Sequence, residues 1–325
     1  MKNLTLLNKI LEKLLPFLTP ASVVLGVIFS TALWSFEAAV PWIFAMMTFS
    51  GAINSSFKSL QNAIAHPLPI LTAVFILHLL MPTWAGFVGH MTFPTDHLTI
   101  TGFILGAAIP TGITSFIWIA MNKGNTGLAL SIILIDTLLS PFIVPYSVML
   151  FVGESVSMDM YGIMKGLVLM IVLPSLAGLL VNHFTKDTSR QQLSSILSPL
   201  AKLGIIVVVM INSASIAPSF QTIDFKLVMI GFIVFGIAFS GYLFSFVLAK
   251  ILHFREEETI TLLYTGGMRN ISAGAVIAVS FFPSAVAVPV VIGMLFQQVI
   301  ASFYGFLISK KGLFVKDHRR KVLNH

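Results

Sequence analysis

Residues 262–274 read Leu-Leu-Tyr-Thr-Gly-Gly-Met-Arg-Asn-Ile-Ser-Ala-Gly, which places Arg269 and Asn270 inside an apolar segment long enough to cross a membrane. A glycine pair beside an arginine disfavours a continuous helix. An arginine at the centre of a membrane helix costs about 2.5–3.5 kcal/mol on insertion scales. Irregular backbone is tolerated at that depth only where protein or a water-filled cavity satisfies its polar groups. The segment therefore predicts a broken membrane helix and a functional site.

The composition is that of a protein that crosses a bilayer several times. The 325 residues are 57% hydrophobic and only 10% charged, whereas soluble domains carry about 25% charged residues. The net charge of +7 does not indicate a nucleic-acid partner, since the charges fall in short connecting loops. The absence of cysteine excludes disulfides and thiolate sites. The first 29 residues are basic and then apolar, as in a signal peptide. Lys9, Glu12 and Lys13 lie within an amphipathic stretch, however, which favours a first helix that is retained.

Ten apolar stretches divide the chain and predict an all-α polytopic membrane protein with ten transmembrane helices. They cover 17–35, 40–57, 68–88, 98–121, 126–152, 160–182, 203–218, 227–252, 259–281 and 286–309. Of the nineteen Lys and Arg residues, sixteen fall at one set of helix ends and only Lys226 falls at the opposite ends. By the positive-inside rule, we expect a multi-pass protein of the plasma (inner) membrane with both termini in the cytoplasm.

Two of these stretches carry breaks at matching positions. The fourth contains Gly106-Ala-Ala-Ile-Pro-Thr-Gly112, and the ninth contains Gly266-Gly267. Each is the second-to-last helix of its half. Because five is an odd number of membrane crossings, a duplicated unit of five helices would lie inverted in the bilayer. Paired breaks of this kind are the best sequence indication of a transporter's binding site. We expect the single integral unit 1–325 to consist of two inverted five-helix repeats, 1–152 and 153–325.

The motifs around these breaks resemble those of the bile acid:sodium symporter family. Gly267-Met-Arg-Asn270 is similar to its Gly-Met-Gln-Asn signature, and Met81-Pro82 is similar to its third helix. Its fourth and fifth helices are matched by Pro110-Thr-Gly-Ile-Thr-Ser115, Lys123-Gly-Asn125 and Ser140-Pro141. The resemblance spans nearly the whole chain and implies a divergent bacterial member. It implies a panel domain, a core domain with crossing fourth and ninth helices, and sodium-coupled uptake of organic anions, from bile acids to small carboxylates.

Most sodium ligands that the resemblance implies are replaced. Ser115 is retained, but the other implied positions read Leu77 (beside His78), Phe116, Ala129, Ile133, Thr265 and Arg269. Hard cations need several oxygen ligands, and Leu, Phe, Ala and Ile supply none from their side chains. Coupling to sodium, coupling to protons and transport without a coupling ion therefore stay open. No resident metal site and no cofactor is expected.

The retained polar residues predict an anion site at the two breaks. The second half-helices begin near 112–115 and 267–271, where each N-terminus carries roughly half a positive charge and free N–H groups suit an anion. Asn270 matches the family's substrate-contacting Asn. The hydroxyl residues have an ordinary alternative role, which is to satisfy carbonyls of their own helices. The candidate substrate-binding residues are Asn270, Arg269, Gly112, Thr111, Thr114 and Ser115.

Three roles are open for Arg269: a fixed cation where relatives hold sodium, a direct ligand of the substrate carboxylate, or one partner of a structural ion pair. Asp136 is the only acid deep in the apolar stretches, and we expect it to pair with Arg269, either statically or as a proton carrier. His78 is a proton relay or a hydrogen-bonded core histidine, and Gln297 and Gln298 line the site or pack helices. The candidate coupling residues are Asp136, Thr265, Ser115, His78 and Gln298.

Other functional classes fit this sequence less well. It has no His-Glu-x-x-His, no second deep aspartate beside Asp136 and no Gly-x-Ser-x-Gly, so an enzyme is not expected. A channel would need a continuous polar stripe, whereas the polar residues cluster at two breaks. A non-transporting sensor on a transporter scaffold stays open as an alternative. We expect a secondary carrier of an organic anion that works by alternating access in the lipid bilayer, as a monomer or a homodimer.

Overall fold

Every regular element in the part of the chain that the computed structural model describes, 2–55, 67–152, 156, 158–220 and 224–310, is a helix. The α-helices are α1 (Lys2–Ile28), α2 (Ser30–Leu33), α3 (Val40–Ala52), α4 (Pro67–Phe75), α5 (Met81–Thr92), α6 (His97–Ala108), α7 (Ser115–Met121), α8 (Thr126–Val152), α9 (Met160–Leu167), α10 (Leu173–Phe184), α11 (Asp187–Ser215), α12 (Phe225–Ile251), α13 (Glu256–Gly267), α14 (Ile271–Phe281) and α15 (Ser284–Lys310). Two π-helical turns, Ile76–Leu80 and Val168–Val172, join α4 to α5 and α9 to α10. Short 3₁₀ turns lie at Trp34–Ala39 and Ala217–Phe220. Lys58 and the basic tail from residue 311 lie outside the described residues.

Length and composition confirm a polytopic α-helical membrane protein. Seven helical stretches are long and apolar enough to span a bilayer: Ser30–Ala52, Pro67–Thr92, Thr126–Val152, Met160–Phe184, Asp187–Ser215, Phe225–Ile251 and Ser284–Ser309. Three shorter apolar helices, Phe17–Ile28, His97–Ala108 and Ile271–Phe281, accompany them. Two of these short helices adjoin the predicted breaks, which is why they fall below the spanning length.

Both predicted breaks are present. Helix α6 ends at Ala108 and α7 begins at Ser115, so residues 109–114 leave the helical path. Pro110 lies in this gap, and proline lacks the N–H that would continue a helix. Helix α13 ends at Gly267 and α14 begins at Ile271, with Met268 in an extended conformation at φ −100° and ψ 120°. Each break therefore separates two half-helices inside the apolar part of the chain.

The helices pack in two groups. Helices α1, α3, α10 and α11 contact one another, whereas α5, α6, α8, α12, α13 and α15 form a second set of contacts. Helix α14 packs on α15 and also touches α3 and α11 of the first group. The half-helix after the second break thus lies where the two groups meet.

Asp96 fixes the start of the first broken helix. Its carboxylate accepts hydrogen bonds from the Thr99 N–H at 3.1 Å and from the Thr99 hydroxyl at 2.6 Å. A 2.7 Å ion pair with Lys226 connects it to the beginning of α12. Burial raises the pKa of Asp96, but the hydrogen bonds from Lys226 and Thr99 lower it by more, so this carboxyl titrates below its ordinary range. The beginning of α6 is thereby held against α12.

Two glycines on α6 provide a matched test of how closely α6 packs on α15. A Cβ at Gly102 would lie 2.5 Å from the carbonyl oxygen of Val286, whereas a Cβ at Gly106 would meet nothing closer than Val290 Cγ2 at 3.9 Å. We expect Gly102→Ala to destabilise the protein by about 1–3 kcal/mol through overpacking. Gly106→Ala should be neutral or stabilising by up to about 1 kcal/mol, because alanine is the better helix former. Thermal unfolding in detergent measures both, and equal midpoints would contradict this packing.

Candidate functional site

The two breaks meet and pair as a short antiparallel bridge, which we call the crossover (residues 109–114 and 268–270). Thr111 and Arg269 lie opposite each other in the bridge. The Gly112 N–H donates to the Met268 carbonyl at 3.0 Å, and the Asn270 N–H donates to the Pro110 carbonyl at 2.8 Å. Each break thus satisfies backbone groups of the other, as buried backbone requires.

The Thr111 hydroxyl adds a side-chain bond to this pairing. It is oriented toward two carbonyls of the opposite segment, at 2.7 Å from the Thr265 oxygen and 2.9 Å from the Met268 oxygen. Thr111 is only 2% exposed. The hydroxyl therefore stabilises the crossover, and neither of the two predicted roles, substrate donor or partner of its own helix, describes it.

Asp136 on α8 is fully buried and contacts the crossover directly. One carboxylate oxygen lies 2.5 Å from His78 Nε2, and the other accepts a hydrogen bond from the Thr111 N–H at 2.5 Å. The expected ion pair between Asp136 and Arg269 does not form, and the carboxylate contacts His78 and Thr111 instead. His78 is the side chain that contacts Asp136 instead of Arg269. The sequence predicts His78 near the site but does not connect it with Asp136.

His78 reaches Asp136 from the π turn that precedes the Met81-Pro82 pair. Such turns inside α-helices are frequent at functional sites. The other ring nitrogen of His78, Nδ1, is buried and has no hydrogen-bond partner among the described residues. His78 is therefore a hydrogen-bonded core histidine whose partner is the Asp136 carboxylate.

The Arg269 guanidinium forms no ion pair with an acid in the described part of the chain. The residue is 6% exposed, and both terminal nitrogens lack a hydrogen-bond partner within the described ranges. Its backbone N–H donates to Gln297 Oε1 at 3.1 Å. Arg269 and Gln297 line a cavity whose empty volume is about 580 Å³ including its mouth. Asn270, the next residue along the chain, does not line this cavity.

Asn270 begins α14, as the sequence predicts for a residue at a half-helix N-terminus. Its side-chain oxygen accepts a hydrogen bond from the Ala273 N–H at 3.3 Å. The N–H groups of Ile271 and Ser272, in the first turn, have no acceptor among the described residues, and both residues are half-buried. Free amides at the positive end of a helix suit a carboxylate. This end of α14 keeps the free N–H groups that the sequence predicts, and anion binding there stays a prediction.

The first break offers less than the sequence predicts. Helix α7 has only seven residues, and its first amides are already used: the Gly112 N–H bonds to Met268, and the Ser115 N–H bonds to the Gly112 carbonyl at 2.9 Å. The expectation of free backbone donors at Gly112 and Ser115 is therefore wrong. Between them, the N–H groups of Ile113 and Thr114 have no acceptor among the described residues, so part of the predicted set of free donors is present. The Ser115 hydroxyl is also buried and without a partner in the described part of the chain.

The positions at which the resemblance implies sodium ligands do not fit that ion. Leu77 and Ala129 are fully buried in hydrophobic clusters. The Thr265 hydroxyl donates within its own helix, to the Thr261 carbonyl at 2.9 Å. The Gln298 side-chain oxygen accepts a 3.1 Å hydrogen bond from Trp118 Nε1, which joins α15 to α7. Apolar packing or a local hydrogen bond thus occupies three of the implied ligand positions, Leu77, Ala129 and Thr265. The hydroxyl of Ser115, the retained position, is buried without a partner in the described part of the chain. Gln298 is predicted as a coupling residue and not as an implied sodium ligand.

Tyr242 is a residue of this region that sequence reasoning missed. It is fully buried on α12, and its ring lies so close to Gly267 that a Cβ there would sit 2.4 Å from Tyr242 Cγ. The glycine pair therefore serves close packing as well as the break. A tyrosine in a long apolar helix carries no signal of a partner 25 positions away along the chain.

Comparison with known proteins places this architecture among transporters. The profile of the sodium bile acid symporter family matches residues 40–220. The Bacillus subtilis (strain 168) protein YbaS, described as uncharacterized, is 53% identical over 91% of this chain and 97% of its own length. YocS of the same organism, named an uncharacterized sodium-dependent transporter, is 25% identical over 88% and 89%. Sodium/bile acid cotransporter 7 of Xenopus tropicalis is 24% identical over 70% and 68%.

The Thr111 hydroxyl provides a test of the crossover. Thr111→Val keeps the shape but leaves two buried carbonyls of the opposite segment without this donor, so we expect a loss of about 1–3 kcal/mol. Thr111→Ser should restore most of it. Thr101→Val is the matched control, because that buried hydroxyl bonds only to a carbonyl of its own helix, His97 at 2.6 Å. Thermal unfolding compares the three. An equal loss for Thr111→Val and Thr101→Val would contradict a special role for Thr111.

Proposed function

Because the chain belongs to the sodium bile acid symporter family, we propose that it is a secondary transporter that carries a small organic anion by alternating access. The observation that carries this proposal is the crossover, where two broken membrane helices pair at their breaks. Discontinuous helices that present half-helix ends form the substrate sites of many secondary transporters. No enzymatic role is proposed.

We propose that the chain forms ten transmembrane helices in two inverted repeats, 1–152 and 153–325, with a panel domain and a core domain. The seven long helices and three short apolar helices support this count. The two packing groups support the domains: α1, α3, α10 and α11 as panel, and the helices around the crossover as core. The distribution of basic residues supports both termini in the cytoplasm. We further propose that the protein lies in the plasma membrane as a monomer or a homodimer.

The proposed substrate site lies where the start of α14 meets the panel. Asn270 and the amides of Ile271 and Ser272 would bind the carboxylate of a small or bile-acid-like organic anion. Ser115 and Thr114 supply hydroxyls from the first break. Gly112 supplies close approach rather than a donor, since a Cβ there would lie 2.8 Å from the Arg269 carbonyl oxygen. Movement of the core against the panel would expose this site to each side in turn.

We propose that a proton, rather than sodium, is the coupling ion. The Asp136–His78 pair is buried and ionisable, and the Asp136 carboxylate also accepts from the crossover backbone at Thr111. A proton on Asp136 would remove the negative charge that orients both partners, so protonation and crossover geometry are linked. The other charged group near Asp136 is Arg269, which interacts with it electrostatically without an ion pair. Intramembrane acids of this kind commonly carry protons in transporters.

Uptake into proteoliposomes tests function and coupling together. Radiolabelled small carboxylates are supplied while a sodium gradient and a pH gradient are imposed separately. We expect accumulation under the pH gradient alone, and Asp136→Asn should abolish the response to pH. His90→Asn is the control, because His90 bonds only to the Gly86 carbonyl of its own helix. Strict dependence of uptake on a sodium gradient would overturn proton coupling. Equal uptake without any gradient would indicate an uncoupled carrier. If no carboxylate is taken up, the result would favour a non-transporting sensor.

Asn270→Ala tests the substrate site itself. Loss of a hydrogen bond to a charged ligand should raise KM for uptake by about 10- to 100-fold. Asn125→Ala is the matched control, because Asn125 caps the start of α8 in the same way, with its side-chain oxygen accepting from the Leu128 N–H at 3.0 Å. Both variants lose one helix cap, so similar thermal stability with KM raised only in Asn270→Ala is expected. An unchanged KM in Asn270→Ala would remove this residue from the site.

A further inference from the structure

The cavity beside Arg269 meets the proposed substrate site only at Ile271, the first residue of α14. Its other walls come from the crossover and from α5, α6, α12, α15 and the end of α13, helices that belong to one packing group. Six glycines form much of the wall: Gly102, Gly106, Gly241, Gly266, Gly267 and Gly293. Asn270, Ser115 and Thr114, which are also proposed to bind the transported anion, do not line it. The cavity is therefore a second feature of the crossover, which adjoins the proposed substrate site at Ile271.

A buried and unpartnered cation borders this cavity. A guanidinium stays charged in proteins, and that of Arg269 is buried with both terminal nitrogens lacking a partner among the described residues. Removing a charge from water costs several kcal/mol unless a counter-charge and hydrogen bonds replace the solvent. The cation therefore needs an acceptor from somewhere.

The described protein residues do not supply that acceptor. None of the residues that line the cavity is acidic. Asp136 is the nearest candidate, but its two oxygens contact His78 and the Thr111 N–H. The Gln297 side-chain oxygen contacts the Arg269 backbone N–H rather than the guanidinium. The two terminal nitrogens thus keep unused donors, in a residue that lines the cavity.

We propose that this cavity is a binding site for a small monovalent anion, a halide or a short carboxylate, held by the Arg269 guanidinium. The two terminal nitrogens form a planar fork that matches a carboxylate in bidentate geometry, and they also offer N–H donors to a spherical halide. The Gln297 amide group adds N–H donors at the same wall. Apolar surroundings of low dielectric strengthen the attraction. A single charge suffices, because one guanidinium is to be neutralised.

The site does not depend on the proposed transport function. It is an equilibrium binding site in the core, and it can be occupied whether or not the protein moves a substrate. Binding measured without a membrane gradient therefore tests it separately from uptake.

Two pairs of variants isolate the cavity. Arg269→Gln removes the charge, and Arg255→Gln is its control, because that side chain is 71% exposed and bonded to Glu258. Gly106→Leu keeps Arg269 but places a side chain in the cavity, where a Cβ has no neighbour closer than 3.9 Å. Gly236→Leu is its control on an exposed face of α12, where a Cβ has nothing within 4 Å.

The experiment measures equilibrium binding of radiolabelled chloride and of radiolabelled acetate to the purified full chain in detergent. A bulky sulfonate buffer keeps the ionic strength constant. We expect saturable binding of at least one probe, weakened by about tenfold or more in Arg269→Gln and in Gly106→Leu, since charge-assisted hydrogen bonds or the space for the anion are lost. Arg255→Gln and Gly236→Leu should bind like the native chain.

Competition between the probes identifies the ligand. Displacement of acetate by chloride indicates a general monovalent site, whereas binding of acetate alone identifies a carboxylate site and binding of chloride alone a halide site. No saturable binding of either probe to the native chain would overturn the proposal, and so would native-like binding in Arg269→Gln. Should Arg269→Gln fail to fold, Gly106→Leu decides: loss of binding supports the site, and retained binding overturns it.

Discussion

Backbone groups released by a helix break inside a membrane need partners, and the structure around the crossover follows from that requirement. Lipid offers no hydrogen bonds, so a broken helix must be satisfied by protein. Here the two breaks satisfy each other: Gly112 and Asn270 each donate across the bridge, and the Thr111 hydroxyl adds a bond to the same segment. Without this pairing, each break would lose these hydrogen bonds from the other. The pairing therefore couples the two breaks.

The charges around the crossover are separated by this geometry. Asp136 is used by His78 and the Thr111 amide on one side, whereas the Arg269 guanidinium borders the cavity on the other. A carboxylate with two partners and a cation with no partner are different chemical situations. We propose that the first carries a proton and that the second binds an anion. An Asp136–Arg269 ion pair would instead have neutralised both charges.

Sequence reasoning located both breaks and the residues that surround them, because glycine, proline and a charge in apolar helices are strong local signals. It placed Asn270 at a helix start, and the structure agrees. It failed on the Asp136 partner and on the free amides at Gly112 and Ser115. Those outcomes depend on distances between segments that are far apart along the chain. His78 lies 58 positions from Asp136, and no local pattern connects them.

The sequence by itself determined that this protein is an α-helical membrane protein with two broken helices. It also determined that few side chains at the sodium-ligand positions implied by the family resemblance carry oxygen. Hydropathy and residue type decide these properties, since they depend on each segment's own transfer energy and backbone preference. Only the tertiary structure decided which buried polar group meets which. A buried polar group bonds to the partners that packing brings within hydrogen-bond distance. Asp136 therefore contacts His78 and Thr111, whereas the terminal nitrogens of Arg269 have no partner among the described residues.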